Sequence, residues 1–334
     1  MFDTYSTFLI SRAEQASNST NLENNGLLPE SPYGYKPNLG AGVFFLLLFG
    51  LSTVIHCGQS IFYRRWFLLY TVVLSGILEV AGWYGRVWSS QDVLKSTPYM
   101  IQIVCTIIAP TPLLAANFVI FGRIIRRLGT TYSRLRPRLY TKIFFSCDVI
   151  ALIVQAAGGT IASGDSKPKN ILDLGTHVML AGIIFQLIII TCFSVLACDF
   201  WRRYSRDKPL RSLKDSDETP RGFMGRKLQL LLYALITNTS VLYIRAIYRT
   251  AELADGFQGK IITTEWLFIV FDALMVFLAM FIYNIFHVGR LMESEDEFKF
   301  HLKLPNNSSS ETNVNLMYMP KGDLSDNLKG RSMV

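Results

Sequence analysis

The chain has 334 residues, of which 50% are hydrophobic, 13% aromatic and only 17% charged, with 33 Lys and Arg against 25 Asp and Glu for a formal charge of +8. Soluble domains carry about 25% charge and disordered chains lack the aromatics abundant here, so the composition points to a membrane-embedded protein. The five cysteines all lie in apolar stretches and give no disulfide framework, and the basic surplus would indicate nucleic acid only if it gathered on one soluble face.

Residues 1–38 are polar and lack the basic start, apolar core and small-residue cleavage site of a signal peptide. They read as an external tail with a glycosylation candidate at Asn18, in Asn18-Ser19-Thr20. Seven apolar segments follow, at about 39–62, 67–88, 98–122, 143–162, 175–200, 228–250 and 266–289. Each is near the ~20 residues that cross a hydrocarbon core as helix, so residues 39–289 are predicted to form an all-α domain of seven transmembrane helices. From Arg290 the chain turns polar, with the acidic run Glu293, Glu295, Asp296 and Glu297, and residues 290–334 read as a disordered tail.

Lys and Arg are divided unevenly among the loops. One alternate set, around Arg64–Arg65, Arg123–Lys142 and Arg202–Lys227, holds 18 of them, whereas Lys95, Lys167, Lys169 and Lys260 are the 4 of the other set. Cytoplasmic loops are the basic ones, which predicts the N-terminus outside and the C-terminus inside. The charge surplus then sets topology and gives no reason to expect nucleic acid.

Charges inside spans cost about 2.5–3.5 kcal/mol each and normally face a partner or a water-filled cavity. The second span holds Glu79 and Arg86, the fourth Asp148 and Gln155, the sixth Arg245, Arg249 and Glu252, and the seventh, with its leading edge, Glu265 and Asp272. Pairs seven residues apart lie about 10 Å apart on one helix face, so each pair lines one stripe. Counted by depth at about 1.5 Å per residue, Glu79, Gln155 and Asp272 share a central layer, with Gln186 of the fifth span also mid-membrane. They are the candidates for substrate or proton contact, on the expectation that a mid-membrane carboxylate lacks a counter-ion. Arg86, Arg245, Arg249, Glu252 and Glu265 collect nearer the outer boundary as a polar network, read equally well as a static clamp of helices 2, 6 and 7. Asp148 lies toward the inner side. Pro110 and Pro112 interrupt the third span and predict a kink or gate that exposes carbonyls at the central depth. His56, His177 and His287 lie near span ends and read as interfacial.

No phosphate loop is present, Gly256–Lys260 reading GFQGK, and neither the histidines nor the cysteines have metal-site spacing. The seventh span holds no lysine for a retinal Schiff base, and Phe121-Gly122-Arg123 lacks the acidic residue that precedes arginine in rhodopsin-like receptors. The expectation is a protein that is not an enzyme, with no cofactor and no metal.

An ordered set of pieces remains. It comprises Tyr35-Lys36-Pro37-Asn38-Leu39, Glu79-Val80-Ala81-Gly82-Trp83-Tyr84-Gly85-Arg86, Ala109-Pro110 with Ala115-Ala116, and Asp148 with Gln155-Ala156-Ala157-Gly158-Gly159. Gly182 with Gln186 follows, then Arg245, Tyr248-Arg249, Glu252, Gly256, Gly259, Glu265 and Phe271-Asp272. Over residues 33–290 this set resembles the fungal seven-span lipid-translocating exporter family, also called aminocholesterol-resistance-like, which includes a sphingoid long-chain-base exporter. The resemblance implies a multi-pass plasma-membrane protein that moves, or confers tolerance to, amphipathic lipids or toxic hydrophobic compounds. Its partners would be the bilayer and such a substrate; oligomeric state is left open. Buried carboxylates suit an amine head, and proton exchange on Glu79 or Asp272 would couple transport to a pH gradient. A sensor of lipid asymmetry and an intramembrane lipid-processing enzyme remain as second and third readings.

Overall fold

The computed structural model describes residues 33, 35–93, 95–162, 168–210, 219, 221–256 and 259–292. Among the described residues seven helices are long and apolar enough to cross a membrane. They are α1 Leu39–Phe62, α2 Trp66–Gln91, α3 Thr97–Leu128, α4 Pro137–Ala162, α5 Asn170–Ser205, α6 Arg226–Ala254 and α7 Glu265–Leu291. The chain is an all-α, multi-pass membrane protein. Asn18, the acidic run at 293–297 and most of both tails lie outside the described residues.

Most helices overrun their predicted limits: α3 continues through Arg123, Arg126 and Arg127 to Leu128, and α4 already begins at Pro137. Hydropathy registers the apolar middle of a helix, whereas the backbone ladder continues as long as N–H and C=O groups find their partners. Asn38 starts α1 as an N-cap, its side chain accepting from the Ala41 N–H at 3.1 Å. Two π-helical turns, Leu69–Val73 in α2 and Ile269–Leu274 in α7, shift the register of the residues that follow.

α3 runs through the middle of the bundle. Of its most apolar stretch 61% is buried, against 28% for α1, α4 and α5, which turn large apolar side chains such as Phe44, Leu47, Ile184 and Ile188 outward toward lipid. α4 and α5 pack backbone to backbone: a Cβ on Gly158 would lie 2.8 Å from the Gly175 carbonyl oxygen and press on the backbone of Met179. Small residues at membrane helix contacts allow this approach. Gly85 does the same for α2 and α3, a Cβ there meeting the Pro98 carbonyl oxygen at 2.8 Å. Between α3, α4 and α5 the rings of Phe118, Phe121, Tyr140, Phe144, Phe193 and Phe200 pack mostly edge to face, with Tyr140 and Phe144 stacked, at centroid distances of 4.8–6.0 Å.

Polar groups join the helices where lipid cannot satisfy them. Asn117 of α3 donates to Asn238 Oδ1 at 3.0 Å and Thr239 Oγ1 at 3.2 Å on α6 and accepts from the Tyr283 hydroxyl of α7. Asn238 donates in turn to the Ala279 carbonyl at 2.6 Å. His56, expected at the interface, is fully buried with Nε2 2.9 Å from the Met280 carbonyl oxygen, binding α1 to α7. At the end opposite Asn38, the chain after α5 returns to α3, Leu210 N–H bonding the Thr131 carbonyl at 2.8 Å and Arg221 pairing with Asp207 at 2.9 Å.

Candidate functional site

Proline chemistry in α3 builds the centre of the site. Pro110 has no N–H to offer the Thr106 carbonyl four residues back, and that freed oxygen accepts from Arg245 Nη2 of α6 at 2.9 Å. Ala109 keeps helical angles (φ −52, ψ −40) and the helix resumes at Pro110. The interruption expected at the prolines is present, one helical stretch ending at Ile108 and the next starting at Pro110, and a guanidinium caps the carbonyl that Pro110 leaves open.

Arg245 Nε also lies 2.8 Å from Asp272 Oδ1. Arg249, one turn along α6, grips the same carboxylate with two bonds, Nε to Oδ1 at 2.9 Å and Nη2 to Oδ2 at 3.0 Å, while its Nη1 donates to Glu252 Oε2 at 2.8 Å. Forked contacts of this kind are the stronger and more directional ion pairs. The Tyr248 hydroxyl donates to Glu252 Oε1 at 3.0 Å, completing the set. The π turn at 269–274 carries Asp272. Asp272 is thus corrected from an unpaired central carboxylate to the anion shared by two arginines, and Arg245 and Arg249 from an outer ring to its partners.

The rest of the outer network is a separate clamp. Arg86 Nη2 donates to Glu265 Oε1 at 2.7 Å and to the Tyr35 hydroxyl at 3.0 Å, and the Asn38 backbone N–H donates to the same Glu265 oxygen at 2.9 Å. Tyr33 lies over this pair, its hydroxyl donating to Gln102 Oε1 at 2.7 Å and resting 3.0 Å from Ser89 Oγ, its ring edge-on to Tyr99. Burial pushes the Tyr33 hydroxyl up to about 12. The Phe268 ring sits between the clusters, with the guanidiniums of Arg86 and Arg249 4.9 and 5.4 Å from its centroid. Sequence reasoning did not find this tyrosine strap, although Tyr35-Lys36-Pro37-Asn38 belongs to the resemblance set; an aromatic side chain beside a buried arginine was the signal present.

Glu79 stands apart. It is 1% exposed, its Oε1 has no hydrogen-bond partner, and the buried indole N–H of Trp83, one turn on, is likewise unbonded. Arg245, Arg249 and Asp272 lie within electrostatic reach of it, but among the described residues it forms no ion pair. The two clusters with Glu79 hold four carboxylates against three guanidiniums, and Glu79 is the unmatched one. Asp148 of α4 is also buried with Oδ2 unbonded, and joins neither cluster.

Gln155 and Gln186 lie together, Gln155 Nε2 donating to Gln186 Oε1 at 3.2 Å. They line a cavity of ≈ 30 Å³ with Pro110, Leu114, Ile190, Leu242, Arg245 and Arg249, room for one or two water molecules. Glu79 and Asp272 are not among its lining residues, so the predicted central layer is divided into a glutamine-lined cavity and a carboxylate–arginine cluster. Among the described residues no group of three or more His, Cys, Asp or Glu is placed to hold a metal ion.

The family description "RTA1 like protein" matches residues 72–295, which include every residue of both clusters from Glu79 to Asp272. The sphingoid long-chain base transporter RSB1 of Saccharomyces cerevisiae is 31% identical over 305 residues, covering 82% of this chain and 80% of the relative. Protein RTA1 of the same yeast is 29% identical, covering 75% of this chain and 83% of its own length, and the probable lipid transporter atnI of Emericella nidulans is 26% identical, covering 81% and 72%. No solved structure matches the chain. By its matched region and its identity to these yeast relatives, the chain belongs to the RTA1-like family.

Proposed function

We propose that the protein translocates amphipathic lipids across the plasma membrane, that sphingoid long-chain bases are its substrate class, and that tolerance of toxic amphipaths follows from their export. One observation carries the reading: Glu79 is a buried carboxyl at the middle of α2 that forms no ion pair among the described residues. Such a group serves to receive a cation or to carry a proton. The ammonium of a long-chain base supplies the first, a pH gradient the second. The names of the yeast and Emericella relatives support the lipid-transport part of the reading.

The neighbouring residues then take distinct parts. Glu79 is the amine and proton acceptor. Asp272, Arg245, Arg249 and Glu252 hold α3, α6 and α7 in register around it. Arg86, Glu265 and the tyrosine strap close the end of the bundle that carries Asn38, and the basic loops at the opposite end support reading this end as the outer one. Gln155 and Gln186 offer neutral amides to hydroxyl groups. Opening is part of the cycle, because a cavity of ≈ 30 Å³ does not hold a whole lipid head and chain.

The test replaces Glu79 by Gln and measures export of a labelled long-chain base from intact cells, with surface abundance measured in parallel. Export falls to background while abundance stays normal. Export at the unsubstituted rate sinks the assignment.

A further inference from the structure

The seam between α5 and α6 is closed at both ends and open between them. Toward the Asn38 end, Leu253 of α6 packs with Met179 and Ile183 of α5. Toward the other end, the hydroxyls of Thr191 and Tyr243 meet at 3.1 Å. Between these closures Gln186 of α5 and Ala246 and Arg249 of α6 are only partly buried, and behind them the ≈ 30 Å³ cavity reaches Gln155 of α4 and Pro110 of α3. Since α3 is central and α4 is packed on α5, this seam is the cavity's side toward the bilayer. Ile184 and Ile188 of α5 and Ile247 of α6 are exposed apolar side chains on the same stretches of these two helices.

We propose that the seam is a lateral binding site for a single-chain lipid whose small head carries a hydroxyl, the chain lying in the bilayer along those isoleucines and the hydroxyl seated on Gln155 and Gln186. Depth supplies the first argument, because at mid-span the surrounding medium is hydrocarbon and a lipid chain is the ligand at hand. Size supplies the second: ≈ 30 Å³ receives a hydroxyl and excludes a phosphodiester head. Charge supplies the third. Both arginines of the cavity wall are already matched by Asp272 and Glu252, so no free cation waits there for a phosphate. The glutamines have capacity left. Gln155 uses its amide N–H toward Gln186 and keeps its carbonyl oxygen as an acceptor, while Gln186 Nε2 makes only a 3.5 Å contact with Thr111 Oγ1. One acceptor beside one donor matches a hydroxyl, which gives and takes a hydrogen bond. The substrate class rests on the transport reading above, whereas the site itself rests on the seam.

The experiment uses the full chain in nanodiscs and two photoactivatable probes, a diazirine- and alkyne-bearing sphingosine and a diacyl phosphatidylcholine with the same diazirine chain. The sphingosine probe labels peptides spanning 183–190 and 242–249. Gln186→Leu, which removes the amide at nearly constant bulk, lowers that labelling about fivefold, the loss of one buried hydrogen bond, and Leu47→Ile on the exposed face of α1, away from the seam, leaves it unchanged. Labelling that spreads evenly to α1, that persists in Gln186→Leu, or that is equal for the phosphatidylcholine probe overturns the proposal. If Gln186→Leu does not fold, Ala246→Leu takes its place by filling the opening, under the same criteria. Labelling is read without transport, so absent export with correct labelling removes the transport reading alone, and normal export without it removes the site alone.

Discussion

Asp272→Asn removes the one carboxylate that Arg245 and Arg249 both contact, at 2.8, 2.9 and 3.0 Å, on a side chain that is 2% exposed. Two guanidiniums then remain in the bundle with Glu252 as their one remaining carboxylate contact. Breaking a buried pair in this way costs about 3–5 kcal/mol, because the surviving charge stays buried and uncompensated. At about 2–4 °C per kcal/mol, the thermal midpoint of the purified protein in detergent, followed by tryptophan fluorescence, falls by about 6–20 °C. Glu79→Gln has no ion pair to break and exchanges an unmatched carboxyl for a neutral amide, so its midpoint stays the same or rises. The contrast is the point, since sequence alone treats the two carboxylates as equals. Equal loss of midpoint in the two variants, or an Asp272→Asn midpoint within error of the parent, would refute the division of the cluster into a paired and an unpaired acid.

Gly158→Ala, which drives a Cβ into the α5 backbone, costs about 1–3 kcal/mol of overpacking and so lowers the same thermal midpoint by about 2–12 °C, whereas Gly50→Ala, with open space around it, is neutral or stabilising. Asn117→Leu removes bonds to Asn238, Thr239 and Tyr283 and costs about 1–3 kcal/mol in that assay; a loss no larger than that of a lipid-facing Ile247→Leu control would contradict it. The Tyr33 hydroxyl, held up at about 12 against about 10 in an unfolded chain, keeps the strap docked below pH ~10 and weakens its docking as pH rises from ~10 to about 12. The absorbance difference between the parent and Tyr33→Phe shows that titration as a tyrosinate step near 12; a step near 10 means that Tyr33 is solvated.

Seven helices were legible because each span must satisfy its own backbone in lipid and so is written as a long apolar run. Their polar ends were not, since residues such as Arg126 and Arg127 continue a helix while lowering its hydropathy. The same contrast made the in-span charges visible as a set. Which of them pair was illegible. Depth counting put Arg245 and Arg249 above Asp272, but a guanidinium reaches several ångströms from its Cα and the π turn at 269–274 alters the register of α7. The interruption at Pro110 was legible because a missing N–H leaves a carbonyl open; the partner of that carbonyl, Arg245, was not, being 139 residues away in sequence. The strap was obscured for another reason: Tyr33 and Tyr35 lie outside every span, where an aromatic residue on a polar segment carries no periodic signal.

The most direct test of the central claim is transport by the purified protein alone. Proteoliposomes carrying the parent chain or Glu79→Gln are loaded with a labelled sphingoid base, and its movement is followed with and without a pH gradient. The account predicts movement by the parent that responds to the gradient, and loss of both movement and response in Glu79→Gln while Gly50→Ala behaves as the parent. Gradient-dependent movement at the parent's rate in Glu79→Gln would contradict it.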